Sequence, residues 1–324
     1  MNNSFLTILK DVKIPFKYLL VFGWGFTAYI LTISFYEYFY GGDQESYRSL
    51  YYSLFYLKDL DAGYELYYGI LRAKEPLYFG LIWISSGWLT HGTLTALLNA
   101  LFAGLVSLWV LKKNISPLVS FLVFFSNYYS FVLFFSAEKL KFGFILFLVC
   151  SLFFNLNFLG SLVISIFGHF QMGILLVSEF LLKLFKSKGF KKIFFTIIII
   201  ILTISFVYKF FLEILSSKLI YYLNDENKDF LNDLIKSSVY FVITYYIAPK
   251  TDKVRALIFG FILIICCLLL GSGRVLIFSY LLFLYYALQI NRGYNLFVLA
   301  STLYFLVKGY NFLLNGVNNG SGFY

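Results

Sequence analysis

In a chain of 324 residues with only 13% charged, the side chains able to do chemistry gather in five short stretches. FYGGDQESYRSL places Asp43, Glu45 and Arg48 directly behind a Gly-Gly break, and AKEP sets Glu75 before Pro76. SAEKLK carries Glu138, Lys139 and Lys141, FGHFQMG carries His169 and Gln171, and GSGR ends in Arg274. A carboxylate or an imidazole can take the proton of an attacking hydroxyl, while lysine and arginine can stabilise a departing phosphate or diphosphate. Arg274 opens an apolar run behind Gly271, Ser272 and Gly273. A helix starting there offers backbone N–H groups and its dipole to an anion, and the guanidinium can grip it bidentately. GSGR is too short for a P-loop, and GxxxxGK[ST] occurs nowhere.

Each group also has a plainer role. Asp43, Glu45 and Arg48 fit a solvated helix exit as well as one wall of a site. Arg72 and Lys74 fit interfacial anchoring, Glu138 with its two lysines fits a turn, and a lone histidine such as His169 is commonly a hydrogen-bonded core residue.

The elements that must position these groups are membrane helices. Sixty per cent of residues are apolar and 23% aromatic, and the mean hydropathy is +0.81. A soluble domain carries about a quarter charged residues. Several apolar runs approach the roughly 20 residues needed to cross a bilayer, among them 18–39, 93–110 and 193–211. We therefore expect an all-α, polytopic membrane protein forming one transmembrane domain over residues 1–324. The net charge of +10 sits at helix ends, where orientation explains it better than nucleic acid does. Cys150, Cys266 and Cys267 lie in apolar runs without a CxxC, which predicts buried free thiols rather than disulfides or a zinc site. The N-terminal run, preceded by Lys10, Lys13 and Lys17, reads as an uncleaved first span of about residues 15–40.

With that basic terminus inside, the first span exits to the outer face and residues 41–91 become a periplasmic loop with a short interfacial helix from Pro76. The run 93–111 returns Lys112 and Lys113 to the cytoplasm, 117–135 goes out, SAEKLK lies outside, and 142–154 returns. A climb and return breaks at Gly168-His169 and delivers Lys183, Lys186, Lys188, Lys191 and Lys192 inside, as the positive-inside rule requires. Spans at 193–211, 239–248, 256–270, 275–290 and 295–314 complete the path, with 213–236 a periplasmic amphipathic loop. The total is about 9–11 crossings. The threading puts Asp43, Arg48, Glu75, Glu138, Lys139, Lys141, His169, Gln171 and Arg274 on the outer face, where ionisable groups at membrane depth commonly line a cavity or path. The tyrosines between Tyr47 and Tyr68 supply faces for sugar stacking or an interfacial aromatic belt.

In this order the motifs resemble the EpsG family of Wzy-type bacterial polysaccharide polymerases. The resemblance rests on a G-x-D-x-x-x-Y segment after the first helix (Gly41 or Gly42, Asp43, Tyr47) and on EP opening a short helix (Glu75, Pro76, Tyr78, Phe79). It continues with a basic residue opening a helix (Lys139, with Gly143), with Phe167 to Gln171 around His169, and with Ser272-Gly273-Arg274. Lysine stands at 139 where the family has arginine, glycine at 143 where it has alanine, and Gly273 separates Ser272 from Arg274.

The resemblance implies a GT-C-like, multi-pass enzyme of the bacterial inner membrane whose active site faces the periplasm. It would join undecaprenyl-diphosphate-linked oligosaccharide units into O-antigen, capsule or exopolysaccharide, with no cofactor or metal, beside a flippase and a chain-length regulator. On that basis Asp43, His169 and Glu138 are the candidate catalytic groups. Lys139, Lys141 and Arg274 are candidates for the diphosphate, and Arg48, Glu75 and Gln171 for the sugar or its loop. An O-antigen-ligase-like transferase would need the same donor site, and a flippase would line a path with the same cations. A scaffold would use them as anchors.

Overall fold

The computed structural model describes residues 14–186, 230–270 and 272–323. The described residues are helical and connecting segments, with no strand among them. In chain order the helices are α1 (Ile14–Phe35), α2 (Asp43–Tyr56), α3 (Leu60–Leu71), α4 (Pro76–Ser86), α5 (His91–Lys112), α6 (Pro117–Phe125), α7 (Tyr128–Phe135) and α8 (Glu138–Leu152). They continue with α9 (Phe158–Ile166), α10 (Gly173–Lys186), α11 (Phe230–Ile247), α12 (Lys253–Leu270), α13 (Ser272–Ala287) and α14 (Leu296–Asn319). The expected span 193–211, and 213–236 up to residue 229, lie outside the described residues.

Local chemistry starts these helices. Thr90 accepts from the Thr93 N–H, Asn127 from Tyr129, Asn157 from Gly160 and Asn295 from Val298, each side chain satisfying an otherwise orphaned donor. Pro76 and Pro117 occupy first helical turns, where a missing N–H costs nothing.

Three helices are long and apolar enough to cross a membrane, Lys17–Tyr38, His91–Lys112 and Ile290–Asn319, and a fourth span results if the bent pair Pro117–Phe125 and Tyr128–Phe135 counts as one. Their surroundings fit that reading. α1 exposes Leu19, Phe22, Phe26, Ile30 and Ile33, and α14 exposes Leu296, Leu299, Leu303, Leu306 and Val307. Apolar faces of that extent are rare on soluble monomers and suit contact with lipid.

The helices depart from the sequence expectation at four places. The first ends at Phe35 and tightens into a 3-10 turn at Tyr36–Tyr38 instead of running to Tyr40. The expected straight span 117–135 bends by 62°, because the Ser126 hydroxyl bonds back to the Leu122 carbonyl and Asn127 caps a new helix. Residues 41–75, read as loop, fold into α2 and α3. SAEKLK, threaded as an outer connection, is largely the buried first turn of α8. Cys150 and Cys267 are buried and Cys266 is half-buried.

α1 packs most extensively along α5, α11 packs on α12 and α13, and α14 lies against α7. The chain's end is part of this core. Gly320 carbonyl accepts from the Tyr40 and Gly41 amides at 3.0 and 2.9 Å, and Phe39 stacks on Phe135 at 4.5 Å and on Phe312 at 5.4 Å. Gly316 makes room for the Phe39 ring, since a Cβ there would stand 2.2 Å from it. Gly316→Ala therefore displaces Phe39, and we expect about 1–3 kcal/mol of destabilisation, read as a lower unfolding midpoint of the purified protein in detergent. An unchanged midpoint would mean the stack does not fix the chain's end.

Candidate functional site

The first turn of α8 is the centre of a buried polar cluster. Glu138, Lys139 and Lys141 are 1%, 5% and 0% exposed; Glu138 and Lys141, three positions apart, share the helix face toward α5, and Lys139 meets the Glu75 connection instead. Glu138 Oε1 accepts from Gln44 Nε2 of α2 at 2.8 Å and from the Thr95 hydroxyl of α5 at 3.3 Å. Its Oε2 accepts from the Tyr78 hydroxyl of α4 at 3.0 Å and lies 3.3 Å from His91 Nε2. His91 Nδ1 in turn meets the Tyr36 hydroxyl at 2.7 Å. A neutral His91 that donates from Nε2 and accepts at Nδ1 satisfies both contacts.

On the neighbouring side, Lys139 Nζ is 3.8 Å from Glu75 Oε2. The same Glu75 oxygen accepts from the Tyr67 hydroxyl at 3.0 Å, and Oε1 lies 3.1 Å from His169 Nδ1. His169 Nε2 is 3.1 Å from Gln171 Oε1. Gly143 lets the His169 segment approach α8, because a Cβ there would come within 3.1 Å of His169 Cβ and 3.0 Å of Met172 Cγ. Burial alone would raise the Glu75 carboxyl, but the Lys139 ammonium and the His169 hydrogen bond outweigh it and hold the group well below the ordinary carboxylate range.

On the α5 side, Lys141 Nζ donates to Asn99 Oδ1 at 2.6 Å, while Asn99 Nδ2 donates to the Thr32 hydroxyl at 2.8 Å and the Phe134 carbonyl at 3.2 Å.

Asp43 and Arg274 form the more accessible part. Their side chains make an ion pair while 44% and 33% exposed. Asp43 begins α2 behind Gly42, whose φ of +64° glycine adopts readily, and Arg274 lies in the first turn of α13. Two helix N-termini thus converge where their dipoles favour negative charge. Gln44, next to Asp43, reaches down to Glu138, so the open pair and the buried cluster are joined through one residue. Arg48 reaches neither Asp43 nor Glu138 and donates to the Tyr36 and Phe39 carbonyls. It stacks over the Tyr36 ring and lies 3.6 Å from Glu37, closing the end of the first span. Glu45 is exposed.

The structure thus brings Glu75, Glu138, Lys139, His169 and Gln171 around one helix start, with Asp43 and Arg274 beside it, Lys141 bonded to the next turn of the same α5 face and Arg48 bonded to the Tyr36 and Phe39 carbonyls. His91, Tyr36, Gln44 and Asn99 complete the cluster without having been singled out from the sequence, while Tyr67 and Tyr78, expected as a stacking face and as part of the EP motif, bond to its two carboxylates. One signal was there: His91, Thr95 and Asn99 recur at every fourth position, a polar stripe on one face of an apolar helix. Among the described residues no group of three or more His, Cys, Asp or Glu is placed to hold a metal ion.

No protein-family model matches the chain, and neither a curated protein nor a solved structure does. What the site can do therefore rests on its geometry.

Glu138→Leu leaves Gln44, Tyr78 and His91 with buried donors and no acceptor. We expect a loss of about 3–5 kcal/mol, seen as a lower unfolding midpoint or failure to accumulate, with Glu138→Gln milder; equal stability of all three proteins would contradict the network. Glu75 adds a pH dependence. Its folded-state pKa is depressed, so its contribution is complete above the unfolded value of about 4.3 and is lost as pH falls below that toward the folded value. Acid unfolding followed from pH 6 downward is expected to show this slope, and Glu75→Gln is expected to flatten it.

Proposed function

We propose that the chain is a polytopic, GT-C-like membrane glycosyltransferase that joins undecaprenyl-diphosphate-linked oligosaccharide units into a polysaccharide. On this reading it lies in the bacterial cytoplasmic membrane, crosses it about 9–11 times and carries its site on the outer face. The observation that supports it best is the Asp43–Arg274 pair, drawn from positions 231 residues apart to a partly open place where two helix N-termini meet above a buried charged cluster. An acid and a phosphate-binding cation side by side are what glycosyl transfer from a diphosphate donor needs.

The reaction proceeds as follows. A diphosphate entering at the start of α13 takes Arg274 from Asp43, aided by the helix N-terminus. Asp43, freed of its cation, accepts the proton of the acceptor sugar's hydroxyl as that oxygen bonds to the anomeric carbon of the donor. The bond from that carbon to the diphosphate oxygen breaks with its electron pair, and undecaprenyl diphosphate leaves as an anion held by Arg274. No nucleotide sugar takes part. Lys139 is paired with Glu75 in the buried cluster, and His169 and Gln171 extend that pair. Glu138 and Lys141 hold α8 against α2 and α5. A flippase supplies the lipid-linked unit, and a chain-length regulator is a fitting partner.

In a strain lacking the chain, Asp43→Asn and Arg274→Ala are expected to reduce polymer by about 10²–10³-fold at unchanged protein level, and Arg274→Lys to retain part of it because a point charge replaces a bidentate fork. Polymer of normal amount and length from both Asp43→Asn and Arg274→Ala would refute the assignment.

A further inference from the structure

Three helices whose beginnings lie at the polar end, α5, α8 and α13, lend later residues to a separate cavity. α5 runs 22 residues from His91 to Lys112, about 33 Å at 1.5 Å per residue, and contributes Phe102, Val106 and Trp109 to the cavity wall. α8 contributes Phe144 and Phe147 rather than Glu138, and α13 contributes Tyr280 to Tyr286 rather than Arg274. The space measures about 550 Å³, within the roughly 300–1,000 Å³ usual for small-molecule sites, and like them it is walled mainly by apolar and aromatic groups with few polar ones.

Two features give it a chemical identity. Lys112, Lys113 and Arg255 border it, with Lys113 set over the Tyr285 ring and Arg255 NH2 3.4 Å from Glu179. In addition, Ser120 Oγ, Tyr286 OH and Arg255 Nε, all on side chains that line this cavity, are buried and have no hydrogen-bond partner among the described residues. A buried donor left unmade is costly, and three such atoms on one cavity are accounted for together by a polar group that enters it.

We propose that this cavity binds a single-chain anionic amphiphile. Its tail lies among Phe102, Trp109 and Phe144, and its head meets Tyr286 and Ser120 under Arg255, Lys112 and Lys113. The site is distinct from the Asp43–Arg274 pair, and the proposal does not depend on the function assigned there. A carrier lipid whose diphosphate sits at Arg274 has no anion to offer at this opposite end.

Trp109 reports occupancy. The test titrates delipidated, detergent-purified protein with 9,10-dibromostearate and follows tryptophan quenching, with Trp109→Phe as the control. Saturable quenching that disappears in Trp109→Phe is expected, together with a half-saturation point raised roughly tenfold in Lys112→Gln/Lys113→Gln, as loss of a charge-assisted contact predicts. Tyr286→Phe, which leaves no void, is expected to weaken binding as well, and the methyl ester of the probe to bind poorly. Displacement by stearate or by lysophosphatidate distinguishes a carboxylate head from a phosphate head. Quenching that rises linearly, persists in Trp109→Phe, or is equal for acid and ester would overturn the proposal. So would affinity unchanged in both the lysine double variant and Tyr286→Phe.

Discussion

Three ionisable side chains in a single buried helical turn constrain the rest of the molecule. A lone charge moved from water into a medium of low dielectric costs far more than a protein's net stability, so it is tolerated only when paired and hydrogen-bonded. Glu138, Lys139 and Lys141 at the start of α8 therefore require partners in fixed places, and no single neighbouring element can supply them. Glu138 draws in α2, α4 and α5; Lys139 draws in the Glu75 connection and, through it, the His169 break; Lys141 draws in Asn99 and Thr32. Hydrophobic packing alone would allow apolar helices of this kind to slide or rotate against one another. The charged turn gives them a register.

This division of labour separates a polar end from an apolar one. At the polar end the buried charges are matched internally, while the Asp43–Arg274 pair stays partly open and thus exchangeable for a substrate's charges. That difference in exposure sorts the charged residues into those that hold the frame and those that can meet a ligand. At the other end α5, α8 and α13 leave a cavity with a basic border.

Much of this frame was legible in the sequence. Pro76 and Pro117 marked helix starts, the short apolar segment after Pro76 formed a short helix, and Gly168-His169 marked a true break between α9 and α10. Sequence reasoning lost ground where tertiary contacts decided local structure. The charges of SAEKLK read as an outer connection because hydropathy sees three costly groups and not their partners 42 to 94 positions away in the chain. The bend at Ser126-Asn127 depends on one hydroxyl bonding backward and one amide capping forward, a signal too small for a hydropathy window. The Gly/Asn-rich residues after 314 carry no hydropathy signal, yet Gly320 and Phe312 tie this part of the chain to the segment preceding Asp43. Asp43 and Arg274 were each picked out by type and position, but nothing in the sequence placed one beside the other.

The central functional claim is a chemical one, and reconstitution tests it directly. Purified protein in lipid nanodiscs is supplied with an undecaprenyl-diphosphate-linked oligosaccharide repeat unit from its own host, with no nucleotide sugar present, and the products are resolved by size. The account predicts a ladder of lengthening glycans with stoichiometric release of undecaprenyl diphosphate. Repeat units recovered unjoined, with no undecaprenyl diphosphate released by protein that remains folded, would contradict it.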